Sequence, residues 1–352
     1  MFAYWMLFGV FAAGALLQPR HHGDSRYPSK RSALLLNLAA VMMALMIGLR
    51  FEVGGDWPTY GMTFRFASYA SLGEMIGRGD PAYQALNWGV AQLGSEIWVV
   101  NLICATVFTW GLLKFAKAQA DPWLAMLVAI PYLVVVVAMG YTRQAVAIGI
   151  VMAGLAAFQR RPSTLKFAIY IAAAALFHKT AVVVLPVVML ASARNRLLNV
   201  LAGAVAFALL YDVLLATSVD RFVRVYVDAA YASQGAAVRV AMSLVPAALF
   251  LMFHRRLGFS VQEAKIWRLF SFVSFGFLVL LMVLASSTAV DRLALYTLPL
   301  QLAVLARVPG GLLAPRLGTM AVIGYSAAVL FVWLNYAVHS EYWLPYQLYP
   351  WW

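Results

Sequence analysis

The sequence predicts an all-α protein that crosses a membrane many times, and its composition supports this fold class in three ways. Apolar residues make up 64% of the 352 residues, charged residues make up only 11%, and the mean hydropathy is +0.83. A soluble domain averages about 45–50% apolar and about 25% charged residues. Because so few charges cannot cover a water-exposed surface, the composition excludes a soluble enzyme, a nucleic-acid-binding protein and a disordered scaffold.

Twelve hydrophobic segments approach the length of about 20 residues that a membrane-spanning helix needs. We therefore predict a single integral membrane domain over residues 1–352. No basic residue precedes the first segment, so we interpret it as a retained span and not as a cleaved signal peptide. The segments lie near residues 2–17, 33–49, 96–113, 122–140, 142–158, 165–177, 180–192, 197–216, 238–253, 267–286, 292–306 and 318–338.

Two of these segments, 165–177 and 180–192, are too short to cross the bilayer separately. As helix, the chain covers about 25 Å from Arg161 to His178 and about 24 Å from His178 to Arg194. The hydrocarbon layer is about 30 Å thick. Basic residues lie before the first segment and after the second, which places both of these ends in the cytoplasm. We therefore predict a short helical hairpin with His178 at its apex. Polar backbone at that depth requires protein or water around it.

The distribution of charge predicts which side of the membrane each loop faces. Most of the 26 Lys and Arg fall in alternate loops, near residues 18–31, 114–121, 159–166, 193–196, 254–268 and 307–316. The positive-inside rule places these loops in the cytoplasm and both termini outside. External loops then lie at about 50–95 and at about 217–237. The net charge of +13 therefore reflects topology and predicts no nucleic-acid partner.

The remaining Lys and Arg lie on the predicted outer side, and several directly follow or precede a hydrophobic segment. Ionisable groups in such places usually face a water-filled cavity and indicate function. The alternative is that they extend along the bilayer to lipid phosphates. These residues are Arg50, Arg65, Arg78, Arg143, Lys179, Arg221, Arg224, Arg239 and Arg292.

The first external loop opens with a dense cluster of charges of both signs, interleaved with aromatic residues and glycines. Asp56 stands just before Pro58, which also suits an ordinary capped helix start. Aromatic residues downstream favour either a stacking surface for sugars or a helix lying on the bilayer. The cluster comprises Arg50, Glu52, Asp56, Trp57 and Tyr60, and the downstream aromatics are Phe64, Phe66, Tyr69, Tyr83 and Trp88.

Three further polar motifs interrupt the apolar segments on the predicted outer side. Arg143-Gln144 follows a segment with almost no loop, and an arginine there suits bidentate contact with phosphate. The second motif is His178-Lys179 at the hairpin apex. In the third, Asp291-Arg292, the arginine shares a helix face with Tyr296. No phosphate-binding glycine loop, His-Glu-x-x-His motif or Cys/His cluster occurs, and Cys104 is the single cysteine, so we expect no cofactor and no metal.

The order and spacing of these motifs cover nearly the whole chain. They read Arg50-x-x-Val53-Gly54-x-Asp56-x-x-x-Tyr60, Arg143-Gln144, Phe177-His178, Asp291-Arg292-x-x-x-Tyr296 and Trp343-Leu344-Pro345-Tyr346. This arrangement resembles the EpsG family, the Wzy-like polymerases of bacterial exopolysaccharide and capsule. After the histidine, Lys179 stands where that family would be expected to have a small residue.

The resemblance implies a GT-C-like membrane glycosyltransferase in the bacterial cytoplasmic membrane, with its active site facing the exterior. Such a polymerase joins oligosaccharide repeat units carried on undecaprenyl diphosphate, so both donor and acceptor are lipid-linked. Expected partners are these substrates, membrane lipid and other polysaccharide assembly and export proteins.

For this reaction the sequence offers candidates for each chemical role. A base would deprotonate the acceptor hydroxyl, and cations would stabilise the departing diphosphate. We assign Asp56 first, then Glu52 and His178, as candidate base. The diphosphate would contact Arg50, Arg143, Arg292 and Lys179, and the residues that bind or orient substrate would be Tyr60, Gln144, Asp291, Tyr296 and Trp57.

Two other functions are also compatible with the sequence. A flippase or exporter of lipid-linked oligosaccharide would carry cations along its transport path, whereas here the span interiors are nearly free of charge. A membrane O-acyltransferase acting on polysaccharide would need an acyl-donor route from the cytoplasm, and the predicted inner loops offer mainly basic residues.

Overall fold

The computed structural model describes residues 1–18, 30–191, 235–283 and 287–350, together with residues 201, 204, 205 and 208. The described chain is mainly helical, which confirms the predicted α class. Its elements are α1 (Phe2–Leu17), α2 (Lys30–Gly48), β1 (Arg50–Phe51), α3 (Trp57–Ala67), α4 (Leu72–Gly77), α5 (Pro81–Gln92), α6 (Ile97–Ala116), α7 (Pro122–Ala129), α8 (Thr142–Arg160), α9 (Thr164–Phe177), α10 (Val184–Ala191), α11 (Ala236–Phe253), α12 (Val261–Val283), α13 (Ser287–Ala294), α14 (Leu298–Leu305), α15 (Val308–Gly311), α16 (Pro315–Tyr336) and β2 (Gln347–Leu348).

Within the described ranges, six helices are long and apolar enough to cross a membrane: α2, α6, α8, α11, α12 and α16. Shorter apolar helices accompany them, and the chain is an integral membrane protein. The predicted segments fall on helices wherever the structure describes them. Most of 197–216 and nearly all of the predicted loop at 217–237 lie outside the described residues, so the number of twelve segments remains a prediction.

Two predicted boundaries differ from the observed ones for physical reasons. Helix α12 starts at Val261, six residues before the apolar segment, because its polar first turn is capped by Ser260 and Glu263. The segment at 292–306 is not one continuous helix, since a 3₁₀ turn at Leu295–Thr297 separates α13 from α14. Hydrophobicity alone does not report such a break.

The centre of the molecule is built from α7, the π-helical segment Ile130–Ala138 that continues it, and α8. Every side chain of the π-helical segment is buried. Helices α6 and α8 cross closely where Gly111 faces Gly149. The approach leaves no room for a Cβ atom on Gly111, which would overlap the backbone of Gly149. Small residues permit this approach between membrane helices. The tight core fixes the end of α8 from which Arg143 projects.

The predicted loop at 50–95 contains three helices, α3, α4 and α5. Proline occupies the first turn of α3 and α5, where its missing N–H costs nothing. Asp56 and Asp80 occupy the two N-cap positions, but neither side chain bonds its own helix. Both carboxylates are therefore available for contacts elsewhere.

The hairpin predicted around His178 has a helix break at the expected residue. Helix α9 ends at Phe177, and His178 adopts an extended backbone with φ −156° and ψ 109°. A 3₁₀ turn at Lys179–Val183 then leads into α10. The extended residue directs the His178 backbone away from the helix axis and presents its side chain beside α5.

The C-terminal segment closes the structure over the start of the 50–95 region. Strand β2 pairs with β1 in antiparallel register, Arg50 opposite Leu348. The Trp343 indole donates a hydrogen bond to the Val135 carbonyl at 2.7 Å, and the Tyr4 hydroxyl donates to the Trp343 carbonyl at 2.7 Å. Gly54, at φ +107°, lies against the Met139 carbonyl where no Cβ would fit. These contacts hold β1 and the start of α3 against the helical core.

Candidate active site

The polar contacts converge on Asp80, a residue outside the sequence motifs described above. Its carboxylate accepts a hydrogen bond from Arg143 Nη1 at 2.9 Å and one from the Lys179 backbone N–H at 3.3 Å. His178 Nδ1 lies 3.6 Å from Asp80 Oδ2, slightly beyond direct hydrogen-bond distance. Asp80 is only 5% exposed. Segments separated by 63 and 99 residues thus meet at one carboxylate.

The surroundings of Asp80 keep it ionised. Burial by itself would raise the pKa of its carboxyl, but the contact with His178, the charge of Arg143 and the Lys179 N–H outweigh burial. The net result is a pKa below the usual value for aspartate. The carboxylate therefore stays charged at neutral pH and can orient both cationic and N–H groups around it.

A second polar group joins the second half of α13 to the first turns of α8 and α11. Arg239 donates two hydrogen bonds to the Asp291 carboxylate, from Nε to Oδ1 at 2.7 Å and from Nη2 to Oδ2 at 2.8 Å. The Gln144 amide donates to the Arg292 carbonyl at 2.6 Å. The Arg292 guanidinium lies over the Tyr141 ring, 3.9 Å from its centroid. These contacts fix the backbone and the side chain of Arg292.

The two polar groups border the same space, around His178 and Tyr60. The charges of Arg143 and Arg292 both act on His178 and on the Tyr60 hydroxyl. Thr180, two residues after His178, shares a 3.2 Å hydrogen bond with Tyr296. The side chains of Arg143 and Arg292 keep 34% and 29% exposure. Two partly exposed guanidinium groups thus flank one histidine.

The structure places most of the sequence-selected residues around this space. Asp56 lies 3.9 Å from Arg292, and Tyr60 packs against Tyr83 with ring centroids 5.7 Å apart. The residues that this space brings together are Asp56, Tyr60, Arg143, Gln144, His178, Lys179, Asp291, Arg292 and Tyr296.

The other three selected residues have different surroundings. Arg50 is 1% exposed, and its guanidinium donates to the carbonyls of Val53 and Ile47 and to the Thr142 hydroxyl. Glu52 is exposed and has a left-handed backbone, φ 51°. Trp57 packs on Phe51 at 5.9 Å between ring centroids. The catalytic and binding roles of all twelve selected residues remain predictions.

Two residues of the site escaped selection from the sequence. Asp80 precedes Pro81 and therefore matches an ordinary helix cap, which conceals its contacts with Arg143 and His178. Arg239 was recognised as an outer-side cation, but its pairing with Asp291 spans 52 residues. A signal that could have identified Asp80 is its place in the polar 50–95 region, two residues after Arg78.

Two cavities open beside the site. A cleft of about 580 Å³ lies among α3, α4 and α5 and reaches Arg143. An apolar groove of about 300 Å³ runs between α10 and α12 and reaches Tyr296 and Thr297. Among the residues that the structure describes, no three His, Cys, Asp or Glu side chains form a metal-binding group.

The sequence profile of the EpsG family matches residues 33–348, a range that contains every residue of the site. No curated protein and no solved structure gives a significant match.

Proposed function

Because this protein belongs to the EpsG family, and thus to the membrane proteins of polysaccharide assembly, we propose that it is a polysaccharide polymerase. The proposed reaction joins oligosaccharide repeat units carried on undecaprenyl diphosphate at the outer face of the cytoplasmic membrane. The observation that carries this proposal is the meeting of Arg143, His178 and Lys179 at the buried Asp80 carboxylate.

The proposed chemistry is transfer of a glycosyl group from one lipid-linked substrate to the other. A hydroxyl oxygen of the acceptor sugar bonds to the anomeric carbon of the donor. The bond between that carbon and the diphosphate oxygen breaks, and undecaprenyl diphosphate leaves with the electron pair. The hydroxyl proton passes to a base of the protein.

His178 is our preferred base among the candidates. A neutral imidazole accepts protons near neutral pH, and Asp80 faces its Nδ1 atom at 3.6 Å. Asp80 would hold the proton on Nδ1 and leave Nε2 to accept the hydroxyl proton, which makes Asp80 a positioning residue. Distances of this kind often shorten when substrate binds. Asp56 and Glu52 remain the alternative bases.

The guanidinium groups of Arg143 and Arg292 would stabilise the departing diphosphate. Both are partly exposed, and each is fixed by contacts with neighbouring residues, Arg143 by Asp80 and Arg292 by Tyr141. Preorganised cations facing developing negative charge are often the largest contribution to such catalysis. Diphosphate leaves already charged, so the proposed reaction requires no metal.

The apolar groove between α10 and α12 supports a lipid-linked substrate. Its wall includes Val183, Val187, Phe277 and Leu293, and it ends at Tyr296. Tyr296 bonds Thr180 beside the histidine. We propose that this groove holds the polyprenyl chain, with the diphosphate directed towards Arg292, the neighbour in sequence of the groove residue Leu293.

Substitution of the histidine tests the proposal. In purified protein supplied with lipid-linked repeat units, we expect His178→Gln to reduce the rate of polymer formation by about 10²–10⁴-fold, the usual contribution of a positioned base. His339→Gln, an identical change at an exposed histidine, serves as the control. Polymer ladders at the wild-type rate from His178→Gln would remove His178 from the mechanism.

The same assay separates the rival functions. A flippase would move the lipid-linked oligosaccharide across proteoliposomes without making ladders, and an acyltransferase would modify the sugar without lengthening it. Either result from the wild-type protein would overturn the polymerase proposal.

A further inference from the structure

The cleft among α3, α4 and α5 has the features of a binding site that no part of the proposed chemistry occupies. Its volume of about 580 Å³ falls within the range of about 300–1,000 Å³ typical of small-molecule sites. Its wall includes Arg143, the residue that contacts Asp80. A molecule in the cleft would therefore reach the space beside His178.

The lining of the cleft combines neutral polar groups with aromatic rings. Thr59, Thr63 and Gln84 contribute hydroxyl and amide groups, and Tyr60 and Tyr83 contribute rings. Sugar rings have the matching character, since their edges carry hydroxyls and their faces are apolar. Two arginines also line the cleft: Arg78 lies over the Phe66 ring, 3.5 Å from its centroid, and Arg143 bonds the Asp80 carboxylate. Most of the lining groups are neutral, which favours the sugar part of a substrate over its diphosphate.

Gln84 supplies a second, independent sign of a ligand. It is 7% exposed, and its Oε1 atom is buried without a hydrogen-bond partner among the described residues. A buried polar atom left unpaired costs about 1–3 kcal/mol. A hydroxyl group in the cleft would supply the partner after rotation of the terminal amide.

We propose that this cleft binds the oligosaccharide part of one lipid-linked substrate, adjacent to the glycosidic bond that forms. The proposal rests on the polymerase function and assigns its glycan-binding site. The apolar groove between α10 and α12 would then hold the polyprenyl chain, and the cleft among α3, α4 and α5 would hold the glycan. The two cavities are built from different helices, and both lie near His178. This arrangement suits a reaction between two lipid-linked sugars.

Gly77 offers a way to block the cleft without disturbing the fold. It lines the cleft, and a Cβ atom added there meets no atom within 4 Å. Gly73 lies on the same short helix and is equally open, but it does not line the cleft. Gly77→Trp is therefore the test variant and Gly73→Trp is its matched control.

Binding is measured directly on protein in lipid nanodiscs. The probe is the oligosaccharide released by mild acid from the lipid-linked repeat units of cells that lack this protein. We expect the wild type and Gly73→Trp to bind it and Gly77→Trp to lose binding. We expect Gln84→Leu to bind about 2–10-fold more weakly, the value of one hydrogen bond, while Gln92→Leu on the same helix binds normally.

The possible results separate this proposal from the polymerase function. Equal binding by Gly77→Trp and Gly73→Trp, with equal thermal stability, would overturn the glycan site. Loss of inorganic diphosphate binding in Gly77→Trp, with oligosaccharide binding retained, would also overturn it. If Gly77→Trp specifically loses oligosaccharide binding but the wild type makes no polymer, the glycan site stands and the polymerase function falls. If Gly77→Trp makes polymer as well as Gly73→Trp, the polymerase function stands and the cleft is not its glycan site.

Discussion

At the scale of single residues, Asp80 shows how a position typical of helix capping can serve a different purpose. Aspartate before Pro81 would ordinarily accept a backbone N–H of its own helix. Its side chain makes no such bond and instead accepts from Arg143 and from the Lys179 N–H. The start of α5 therefore has no side-chain cap, and the Asp80 carboxylate links α5 to the start of α8 and to the turn after α9.

The depressed pKa of Asp80 predicts how its contribution to stability varies with pH. A group whose pKa is lower in the folded state stabilises the fold fully above the unfolded-state pKa, about 3.9 for aspartate. That stabilisation is lost as the pH falls through the lower folded-state pKa. We expect Asp80→Asn to unfold at a lower temperature than wild type at pH 7, and the difference to shrink below about pH 4.

Thermal unfolding in detergent, followed by tryptophan fluorescence at a series of pH values, measures this difference. A gap between the two proteins that stays constant from neutral to acid pH would contradict the role assigned to the ionised carboxylate.

Arg50 is predicted to stabilise the fold because all three of its guanidinium nitrogens have buried acceptors. Arg50→Met leaves the Ile47 and Val53 carbonyls and the Thr142 hydroxyl without this donor. We expect a loss of more than about 2 kcal/mol in the free energy of unfolding. Arg65→Met, on the exposed surface of α3, is the control, and unfolding curves in denaturant give both values.

Should Arg50→Met keep wild-type stability while diphosphate binding weakens, the sequence-based assignment of Arg50 to the diphosphate would be supported instead. The sequence could indicate that Arg50 was unusual, because it lies at a membrane exit. It could not indicate which acceptors surround it, since Thr142 is 92 residues away.

At the scale of elements, apolar length predicted most helices and one helix break. His178 interrupts the apolar sequence, and α9 ends directly before it. The π-helical segment Ile130–Ala138 and the 3₁₀ turn before α14 could not be predicted, because both sequences are continuously apolar and their geometry depends on packing. The pairing of β1 with β2 could not be predicted from the sequence either, since each strand has only two residues.

The crossing of α6 and α8 gives an element-scale prediction. Because a Cβ atom at Gly111 would overlap the Gly149 carbonyl, Gly111→Leu must separate the two helices. We expect the free energy of unfolding to fall by about 1–3 kcal/mol, the typical cost of overpacking. Gly9→Leu on α1, where the added side chain meets open space, should leave the unfolding midpoint unchanged. Equal midpoints for the two variants would show that the helices do not cross as described.

At the scale of the whole molecule, charge asymmetry predicts which ends of the helices face outwards, and labelling can test it. Cys104 is buried, so the unmodified chain should not react with a thiol reagent that cannot cross membranes. Leu93 is 84% exposed and follows α5, whereas Ala120 is exposed between α6 and α7.

We expect Leu93→Cys to react in intact cells and Ala120→Cys to react only after the membrane is opened. The opposite pattern would reverse the orientation and place the Asp80 site in the cytoplasm, where an external polymerase could not use it.

The attachment of the C-terminal segment to the start of the 50–95 region has a consequence for biosynthesis. Residues 340–350 leave the ribosome after all the described helices, yet they supply the partner of β1 and the Trp343 contact with Val135. A chain released early, for instance by a nonsense codon after α16, would carry the candidate site residues without β2, which pairs with Arg50, and without the Tyr342 carbonyl that accepts the Gly54 N–H. Assembly of the site therefore has to wait for the synthesis of residues 340–350.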